Sequence, residues 1–200
     1  MITLLRPLPR EIIIAVSGGI DSMAALDFLR RNHKVSVAYF DHGTDHGTDA
    51  REFVGNYCDM KAVPFFYKKI EGERTTESPE EFWRIKRYEF LHSFDLPVIT
   101  AHTIDDCVET WIWSSLHGES KIIPYSYKNV IRPFLLTSKQ DLQSWCLNKK
   151  IDWIEDPSNC DTKYRRNLIR HDMMPYVLKI NPGIAKVIRK KLIDLNLVIE

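Results

Sequence analysis

Short β-branched strands alternate with amphipathic helices along the first 120 residues of this 200-residue chain. The predicted strands are 11–16, 34–40, 64–69 and 97–102, and the predicted helices are 23–31, 51–60, 80–94 and 103–116. Parallel strands need long crossover connections, and a helix between two strands supplies one. The alternation therefore predicts an α/β fold, a parallel sheet with helices on both faces. In such sheets ligands bind beyond the carboxyl ends of the strands.

The character of the chain changes after Pro124. The elements predicted beyond it are a short extended segment at 131–134 and helices at 138–150, about 164–178 and about 182–195. Thr137 and Ser138 are candidate N-caps for the first of these helices. We therefore expect a larger domain over residues 1–135, followed by a basic helical extension over residues 136–200.

Charge is distributed unevenly, although the net charge is only +1. Residues 1–120 carry 13 Lys and Arg against 19 Asp and Glu, whereas residues 121–200 carry 15 against 8. A basic segment can supply the phosphate contacts that dominate nucleic-acid affinity. An ordinary solvated basic face is the open alternative.

The cysteines and the apolar segments bear on the cellular compartment. The four cysteines stand far apart and form no CxxC pair, so no disulfide framework is expected. The first 16 residues lack the pattern of a signal peptide, and no apolar run reaches the ~18 residues of a membrane span. We expect a cytoplasmic protein without a membrane segment.

The strongest local motif is Ser17-Gly18-Gly19-Ile20-Asp21-Ser22, which follows the first strand and opens the first helix. Small residues let the backbone approach a phosphate, and a helix N-terminus presents free N–H groups and a positive dipole end. The motif has neither the lysine of a GxxxxGK[ST] loop nor the GxGxxG spacing. It predicts a different phosphate cradle; a plain Ser/Gly turn is the alternative.

A second group of polar residues follows the fourth predicted strand. Asp105 and Glu109 are four residues apart and share a helix face, with Asp106 beside them in the first turn. Carboxylates at this place could bind Mg²⁺ or an ammonium group. The alternative is N-capping and complementation of the helix dipole.

The stretch 41–48 repeats DHGT and brings His42 and His46 four residues apart. Two histidines at this spacing would suit a transition metal on a helix, but Gly43 and Gly47 argue against a helix. We expect a structural loop or a loop beside the adenine of a nucleotide rather than a metal site, because a loop after the second strand borders a bound nucleotide.

A longer set of motifs resembles one enzyme family. The segment Glu155-Asp156-Pro157-Ser158-Asn159-Cys160-Asp161, with the residues that follow it to Pro175, is similar to the EDPSNxDxxYxRNxIRxxxxP motif of tRNA(Ile)-lysidine synthases. Residues 80–88, 105–110 and 131–135 match further motifs of that family in the same order. With the SGGxDS loop of the ATP-pyrophosphatase (PP-loop) superfamily, the resemblance covers about residues 11–183.

The resemblance implies an adenine nucleotide α-hydrolase-like fold and a two-step reaction on tRNA(Ile) with a CAU anticodon. O2 of the wobble cytidine attacks the α-phosphate of ATP and releases pyrophosphate. The ε-amine of free L-lysine then attacks C2 and displaces AMP. Residues 1–135 would be the ATP-binding catalytic domain of a short form of the enzyme. Residues 136–200 would complete the active site and contact the tRNA, and a homodimer is one oligomeric state to test.

The resemblance also implies roles for individual residues, which we expect at the following positions of this chain. The catalytic set would be Asp21, Asp105, Asp106, Glu109, Arg84 and Arg132, in which the two arginines would contact the phosphates or the activated base and Glu109 would receive the lysine ammonium. The ATP-binding set is Ser17, Gly18, Gly19, Ile20, Asp21 and Ser22, with His42 and His102. Mg²⁺ would be held by Asp21 and Asp106. The tRNA-binding set is Arg87, Asn159, Lys163, Arg165, Arg166, Asn167, Arg170 and Lys190.

Two alternatives remain open. Another PP-loop enzyme, such as a tRNA thiolase or an amide-forming synthetase, would share the cradle, although the lone cysteines disfavour thiolation. A catalytically silent RNA-binding relative would share the fold. The chain also departs from the family pattern in two places. Thr103 stands where a second histidine usually follows His102, and the glycine-rich stretch that usually follows the fourth helix is shortened to residues 117–120.

Overall fold

A computed structural model of the chain describes residues 1–72, 76, 78–156 and 165–197. Its strands are β1 (Glu11–Ala15), β2 (Lys34–Asp41), β3 (Phe65–Lys69), β4 (Val98–Ile99), β5 (Ser126–Tyr127) and β6 (Val130–Ile131). They form one sheet in the order β3-β2-β1-β4-β6-β5, parallel at every pairing except β5 with β6. The predicted parallel α/β sheet is confirmed, with a short antiparallel edge strand that the sequence did not reveal.

Helices connect the strands and make up most of the C-terminal part of the described chain. The α-helices are α1 (Ile20–Leu29), α2 (Asp45–Lys61), α3 (Pro79–His92), α4 (Ile104–Leu116), α5 (Lys139–Lys149), α6 (Arg165–Leu168), α7 (Met174–Ile180) and α8 (Ile184–Leu197). A 3₁₀ turn covers Pro133–Leu136, and a π-helical turn covers Ile169–Met173. Ser138 caps α5, as predicted, because its side chain accepts a hydrogen bond from Asp141 N. Within the described ranges, no helix has the combined length and apolarity of a membrane span.

The alternation of side chains along β1 explains why helices cover both faces of the sheet. Ile12 and Ile14 point to the face that packs against α1, α2 and α5. Ile13 points to the opposite face, where it packs with Phe90 and Leu91 of α3. Each face therefore has its own apolar layer, which fixes the pairing register of this central strand.

The sheet has a topological switch point between β1 and β4. The chain runs outward from β1 to β2 and β3, and then returns to place β4 on the other side of β1. Connections on opposite faces leave a crevice at the carboxyl ends of these two strands. The residues that follow β1 and β4 therefore lie beside each other.

Helix α8 packs along α4 through a stripe of apolar residues. Ile184, Ile188 and Leu192 are spaced four apart, so they lie on one face of α8, and all three are buried. They contact the apolar side of α4 around Val108 and Ile112. This packing holds the helical C-terminal part against the helix that carries the predicted carboxylates.

Two local predictions were wrong. Helix α2 begins at Asp45, so Gly47 is helical although it was expected in a loop. A Cβ at Gly47 would overlap Oδ1 of Asp41, which explains the glycine despite its poor helix propensity. The segment predicted as extended at 131–134 stops being a strand after Ile131, because Pro133 opens the 3₁₀ turn.

Candidate active site

The loop between β1 and α1 has the geometry of an anion cradle. Gly18 adopts a φ of +87°, a conformation that side chains other than glycine rarely tolerate. Gly19 is the N-cap of α1, and because it has no side chain, it does not cap the N–H groups of the first helical turn. The Ser17 and Ser22 hydroxyl oxygens lie 3.2 Å apart, and the Ser22 hydroxyl donates to Gly19 O at 2.8 Å. The helix start is therefore open to an anionic ligand.

The acidic segment of the EDPSN motif passes beside this loop. The backbone N–H of Ile154 donates to Gly18 O at 2.9 Å. Asp156 is close enough to influence the titration of His42, which follows β2. Residues 151–156 thus lie at the same edge of the sheet as the loop. Pro157–Tyr164 lie outside the described residues, and with them the predicted tRNA contacts Asn159 and Lys163.

Asp106 caps α4, which was the structural alternative for this group of carboxylates, and it also pairs with a lysine of the same chain. Its Oδ2 accepts hydrogen bonds from Thr103 N at 2.8 Å and Thr103 Oγ1 at 3.1 Å, which forms a capping box at the start of α4. Its Oδ1 lies 3.1 Å from Nζ of Lys139. The residue that replaces the second histidine of the family pattern, Thr103, is therefore the N-cap of α4.

Two cations bind the carboxylates of α4. Arg170 makes a two-pronged ion pair with Glu109, with Nε at 2.8 Å from Oε1 and an amino group at 3.1 Å from Oε2. Lys139 Nζ lies between Asp106 and Glu109, at 3.1 and 3.7 Å. Asp106 and Glu109 are almost fully buried, at 5% and 4% exposure. We call Asp21, Asp106, Glu109, Lys139 and Arg170 the carboxylate cluster.

Asp21 belongs to this cluster through its electrostatics. Burial raises its pKa to about 6, and the attraction of Lys139 opposes part of that rise. Repulsion from Asp106 and Asp105 raises the pKa further, while Arg170 lowers it. Its Oδ1 atom is buried and has no hydrogen-bond partner within the described part of the chain.

A buried carboxylate oxygen without a partner fits a cation ligand, because burial of an uncompensated charge is unfavourable. No group of three or more His, Cys, Asp or Glu side chains within residues 1–72, 76, 78–156 and 165–197 could hold a metal alone. Mg²⁺ commonly takes only one or two carboxylates, with substrate phosphates and water as its other ligands. Asp21 and Asp106 fit that pattern.

The Asp105 side chain contacts a backbone group, whereas Asp106 and Glu109 pair with the cations of the carboxylate cluster. Its Oδ2 accepts a hydrogen bond from the backbone N–H of Lys139 at 2.9 Å. This contact joins the first turn of α4 to the first turn of α5. The side chain that was predicted to serve the metal or lysine is used here to position a helix start.

The two predicted catalytic arginines lie in a neighbouring group. Arg132 follows β6, is buried, and donates to Tyr88 OH and to Pro124 O, each at 2.9 Å. Arg84 is exposed on α3 and pairs with Glu81 at 2.8 Å. Neither arginine makes a direct contact with the carboxylate cluster among the ion pairs described.

The two histidines predicted to lie near ATP follow different strands, His42 after β2 and His102 after β4. Burial lowers the pKa of His42 to about 4, so its imidazole is neutral at pH 7, and it packs beside Phe40 and Trp83. His102 follows β4, and its Nδ1 shares a 2.9 Å hydrogen bond with Thr100 Oγ1. His46 belongs to α2, so the two DHGT histidines do not share one helix.

The predicted tRNA contacts are found in different environments. Lys190 is exposed on α8, and the Arg87 guanidinium lies over the Tyr88 ring, 5.6 Å from its centroid. Asn167 is buried, at 7% exposure. Arg170 belongs to the carboxylate cluster. The side chains of Arg165 and Arg166 lie outside what the structure describes.

Lys139 was missed from the sequence. It is the first residue of α5, directly after the Ser138 cap. Its position after the last parallel strand and the 3₁₀ turn was a usable signal, because residues that follow parallel strands gather at the carboxyl edge of the sheet. A basic residue at such a helix start was thus a candidate for the site.

Comparison with known proteins decides the family. A model of the PP-loop domain matches residues 3–177. The chain belongs to the PP-loop domain family. Curated relatives include the tRNA(Ile)-lysidine synthases of Thermosipho africanus, 32% identical over 191 residues, and Petrotoga mobilis, 30% identical over 193 residues. These matches cover 86% of this chain but 45% and 61% of those proteins, so the chain spans about half the length of its curated relatives.

A solved structure supports the fold of this PP-loop chain. NH₃-dependent NAD synthetase from Campylobacter jejuni, crystallised with a nitrate ion, aligns with a TM-score of 0.50 at 12% identity. The alignment covers 94% of this chain and 86% of the other. At this identity the similarity concerns the fold alone, and it agrees with the predicted fold class.

Proposed function

We propose that this PP-loop chain adenylates the wobble cytidine of tRNA(Ile) with a CAU anticodon and then transfers free lysine to the base. The observation that carries the proposal is the position of the carboxylate cluster beside the open phosphate cradle at the switch point of the sheet. The substrates in this proposal are inferred from the relatives named tRNA(Ile)-lysidine synthase.

In the first step, the cradle from Ser17 to Ser22 would hold the phosphates of ATP. Cytidine O2 forms a bond to the α-phosphorus, and the bond from the α-phosphorus to the bridging oxygen breaks, so that pyrophosphate leaves with the electron pair. Asp21 and Asp106 would hold Mg²⁺, which shields the charge of the departing pyrophosphate. Arg84 and Arg132 would meet the phosphates or the activated base, as predicted from the sequence.

In the second step, the ε-amine of lysine attacks C2 of the base, and AMP leaves with the electrons of the C2–O2 bond. The amine loses a proton to water in the step. Glu109 and Asp105 stay predicted partners of the lysine substrate. However, Arg170 already engages both oxygens of Glu109, so an ammonium group that binds there would share the carboxylate with Arg170. His42 and His102 stay proposed neighbours of ATP.

The proposed division of the chain gains support from the origin of the two cations. Lys139 and Arg170 both come from residues 136–200, whereas Asp21, Asp106 and Glu109 come from residues 1–135. The helical segment would thus complete the active site of the larger domain. Among the predicted tRNA contacts, the exposed Lys190 suits a phosphate contact, whereas the buried Asn167 suits a supporting role.

The test is incubation of the protein with ATP, Mg²⁺, labelled lysine and a CAU-anticodon tRNA(Ile) transcript. We expect label on the RNA together with released pyrophosphate, and loss of both with a transcript that carries uridine at the wobble position. Pyrophosphate without label would point to another PP-loop reaction. Neither product would favour a silent RNA-binding relative. A homodimer stays a prediction that the mass in solution tests.

A further inference from the structure

The phosphate cradle contains no cation of its own. Residues 17–22 hold two serines, two glycines, an isoleucine and an aspartate, whereas the P-loop of many nucleotide enzymes includes a lysine that reaches the phosphates. Transfer of an adenylyl group builds negative charge on the departing pyrophosphate, and a site needs fixed positive charge to stabilise it. A cationic side chain from another part of the chain would add to the positive charge that Mg²⁺ supplies there.

Lys139 is the cation best placed to supply this charge. Of the charged residues that act on Asp21, it exerts the strongest attraction. Helix α5 packs against α1, with Leu142 and Cys146 in their shared core, and the Cys146 thiol approaches Ile20 O at 3.7 Å. The start of α5 is therefore held beside the helix that follows the cradle.

The two cations of the cluster differ in how firmly they are held. Arg170 is fixed by its two-pronged contact with Glu109. The Lys139 ammonium makes one contact of 3.1 Å to Asp106 and one longer contact of 3.7 Å to Glu109. Its side chain is 27% exposed, and its flexible four-carbon stem lets the ammonium reach a new partner without a change in the backbone.

The charge balance of the carboxylate cluster gives a reason for the Lys139 ammonium to move when ATP and its cation bind. Asp21, Asp106 and Glu109 outnumber Lys139 and Arg170 by one negative charge. A divalent cation held by Asp21 and Asp106 would reverse that balance, and it would compete with the Lys139 ammonium, the nearer of two cations beside Oδ1 of Asp106, at 3.1 Å against 3.7 Å for Arg170. The phosphates that arrive with the cation offer Lys139 a new partner of opposite charge.

We propose that Lys139 is a catalytic residue, whose ammonium rests on Asp106 and Glu109 in the free protein and moves onto the β- and γ-phosphates of bound ATP. There it stabilises the charge that pyrophosphate gains when the bond from the α-phosphorus to the bridging oxygen breaks. No proton is transferred in the move. The inference rests on the proposed use of ATP, but it requires neither tRNA nor lysine to be the substrate.

Titration calorimetry with inorganic pyrophosphate and with AMP, each in the presence of Mg²⁺, tests the inference. We expect Lys139→Ala to weaken pyrophosphate binding about tenfold or more, because the variant loses a charge-assisted hydrogen bond to the phosphates. AMP lacks the β- and γ-phosphates, so its affinity should change less than about twofold on the same scale. Lys139→Arg should restore most of the pyrophosphate affinity. Lys149→Ala removes an exposed lysine from the same helix and is the matched control.

Two results would overturn the role of Lys139. In the first, Lys139→Ala binds pyrophosphate as tightly as the wild-type protein does. In the second, it loses pyrophosphate and AMP affinity equally and Lys139→Arg restores neither, as expected for a purely structural ion pair. Wild-type protein that binds pyrophosphate but labels no tRNA would contradict the proposed function and leave the role of Lys139 intact.

Discussion

Asp105 Oδ2 accepts a hydrogen bond of 2.9 Å from the backbone N–H of Lys139. The next carboxylate along α4, Asp106, contacts the ammonium group of the same lysine at 3.1 Å. Helix α4 therefore holds Lys139 at both its backbone and its side chain. The two adjacent aspartates have different tasks, since Asp105 positions the start of α5 and Asp106 pairs with the Lys139 ammonium.

Substitutions at Asp105 separate a positioning role from a metal-binding role. Asp105→Asn keeps an oxygen that can accept the Lys139 N–H, so we expect near wild-type stability and pyrophosphate release. Asp105→Ala leaves that N–H without its acceptor and should lower the free energy of unfolding by about 1–2 kcal/mol. Urea denaturation and a pyrophosphate assay measure both. An Asp105→Asn protein as inactive as Asp105→Ala would instead indicate a role for the charge.

Asp21 should make the folded protein less stable at neutral pH. Its pKa in the folded protein is about 6, above the ordinary 3.8, so the folded state binds more protons than the unfolded state between these values. Stability from this group is therefore lost as the pH rises from about 4 to about 6. We expect Asp21→Asn to be more stable than wild type by about 1–3 kcal/mol above about pH 7.

The same substitution should abolish Mg²⁺-dependent ATP binding, and its stability advantage should disappear below about pH 4. Denaturant melts across this pH range provide the measurement. An Asp21→Asn protein less stable than wild type at neutral pH would show that the ionised carboxylate has a partner that stabilises it.

The sequence was most informative about features that depend on local pattern. The order of strands and helices and the cradle at Ser17–Ser22 follow from periodicity and from small residues at a strand end. The use of Asp105 to hold Lys139 could not be predicted in this way, because it depends on how α5 packs against α1 through Leu142 and Cys146. Helix propensity likewise gave the wrong structure at Gly47, where Asp41 leaves space only for a hydrogen.

Substitution by alanine should change the stability of the protein in opposite directions at two glycines of α2. Gly47→Ala places a Cβ against Asp41 Oδ1, so we expect a loss of about 1–3 kcal/mol. Gly55 has only one neighbour, the Phe65 ring at 3.9 Å, so Gly55→Ala should gain about 0.5–1 kcal/mol from helix propensity. Thermal melts of the pair compare the two sites. Equal stabilisation by both changes would rule out the crowding at Gly47.

The ion pair of Arg170 with Glu109 should contribute to stability because Glu109 is buried. Arg170→Ala would remove both short contacts of the buried carboxylate, while the Lys139 ammonium lies 3.7 Å away, and we expect a loss of about 2–3 kcal/mol. Arg170→Lys keeps the charge but not the two-pronged geometry, so it should lose about 1 kcal/mol. The exposed Lys190→Ala is the control in the same denaturation series. Wild-type stability in Arg170→Ala would contradict this assignment.

The adenylated base is the intermediate that distinguishes the account from other reactions of ATP. The protein is incubated with Mg²⁺, a CAU-anticodon tRNA(Ile) transcript and ATP labelled at the α-phosphate, without lysine, and the RNA is then isolated. We predict label on the RNA that is released as AMP when lysine is added. Unlabelled RNA, from protein that binds ATP and the transcript, would contradict the account.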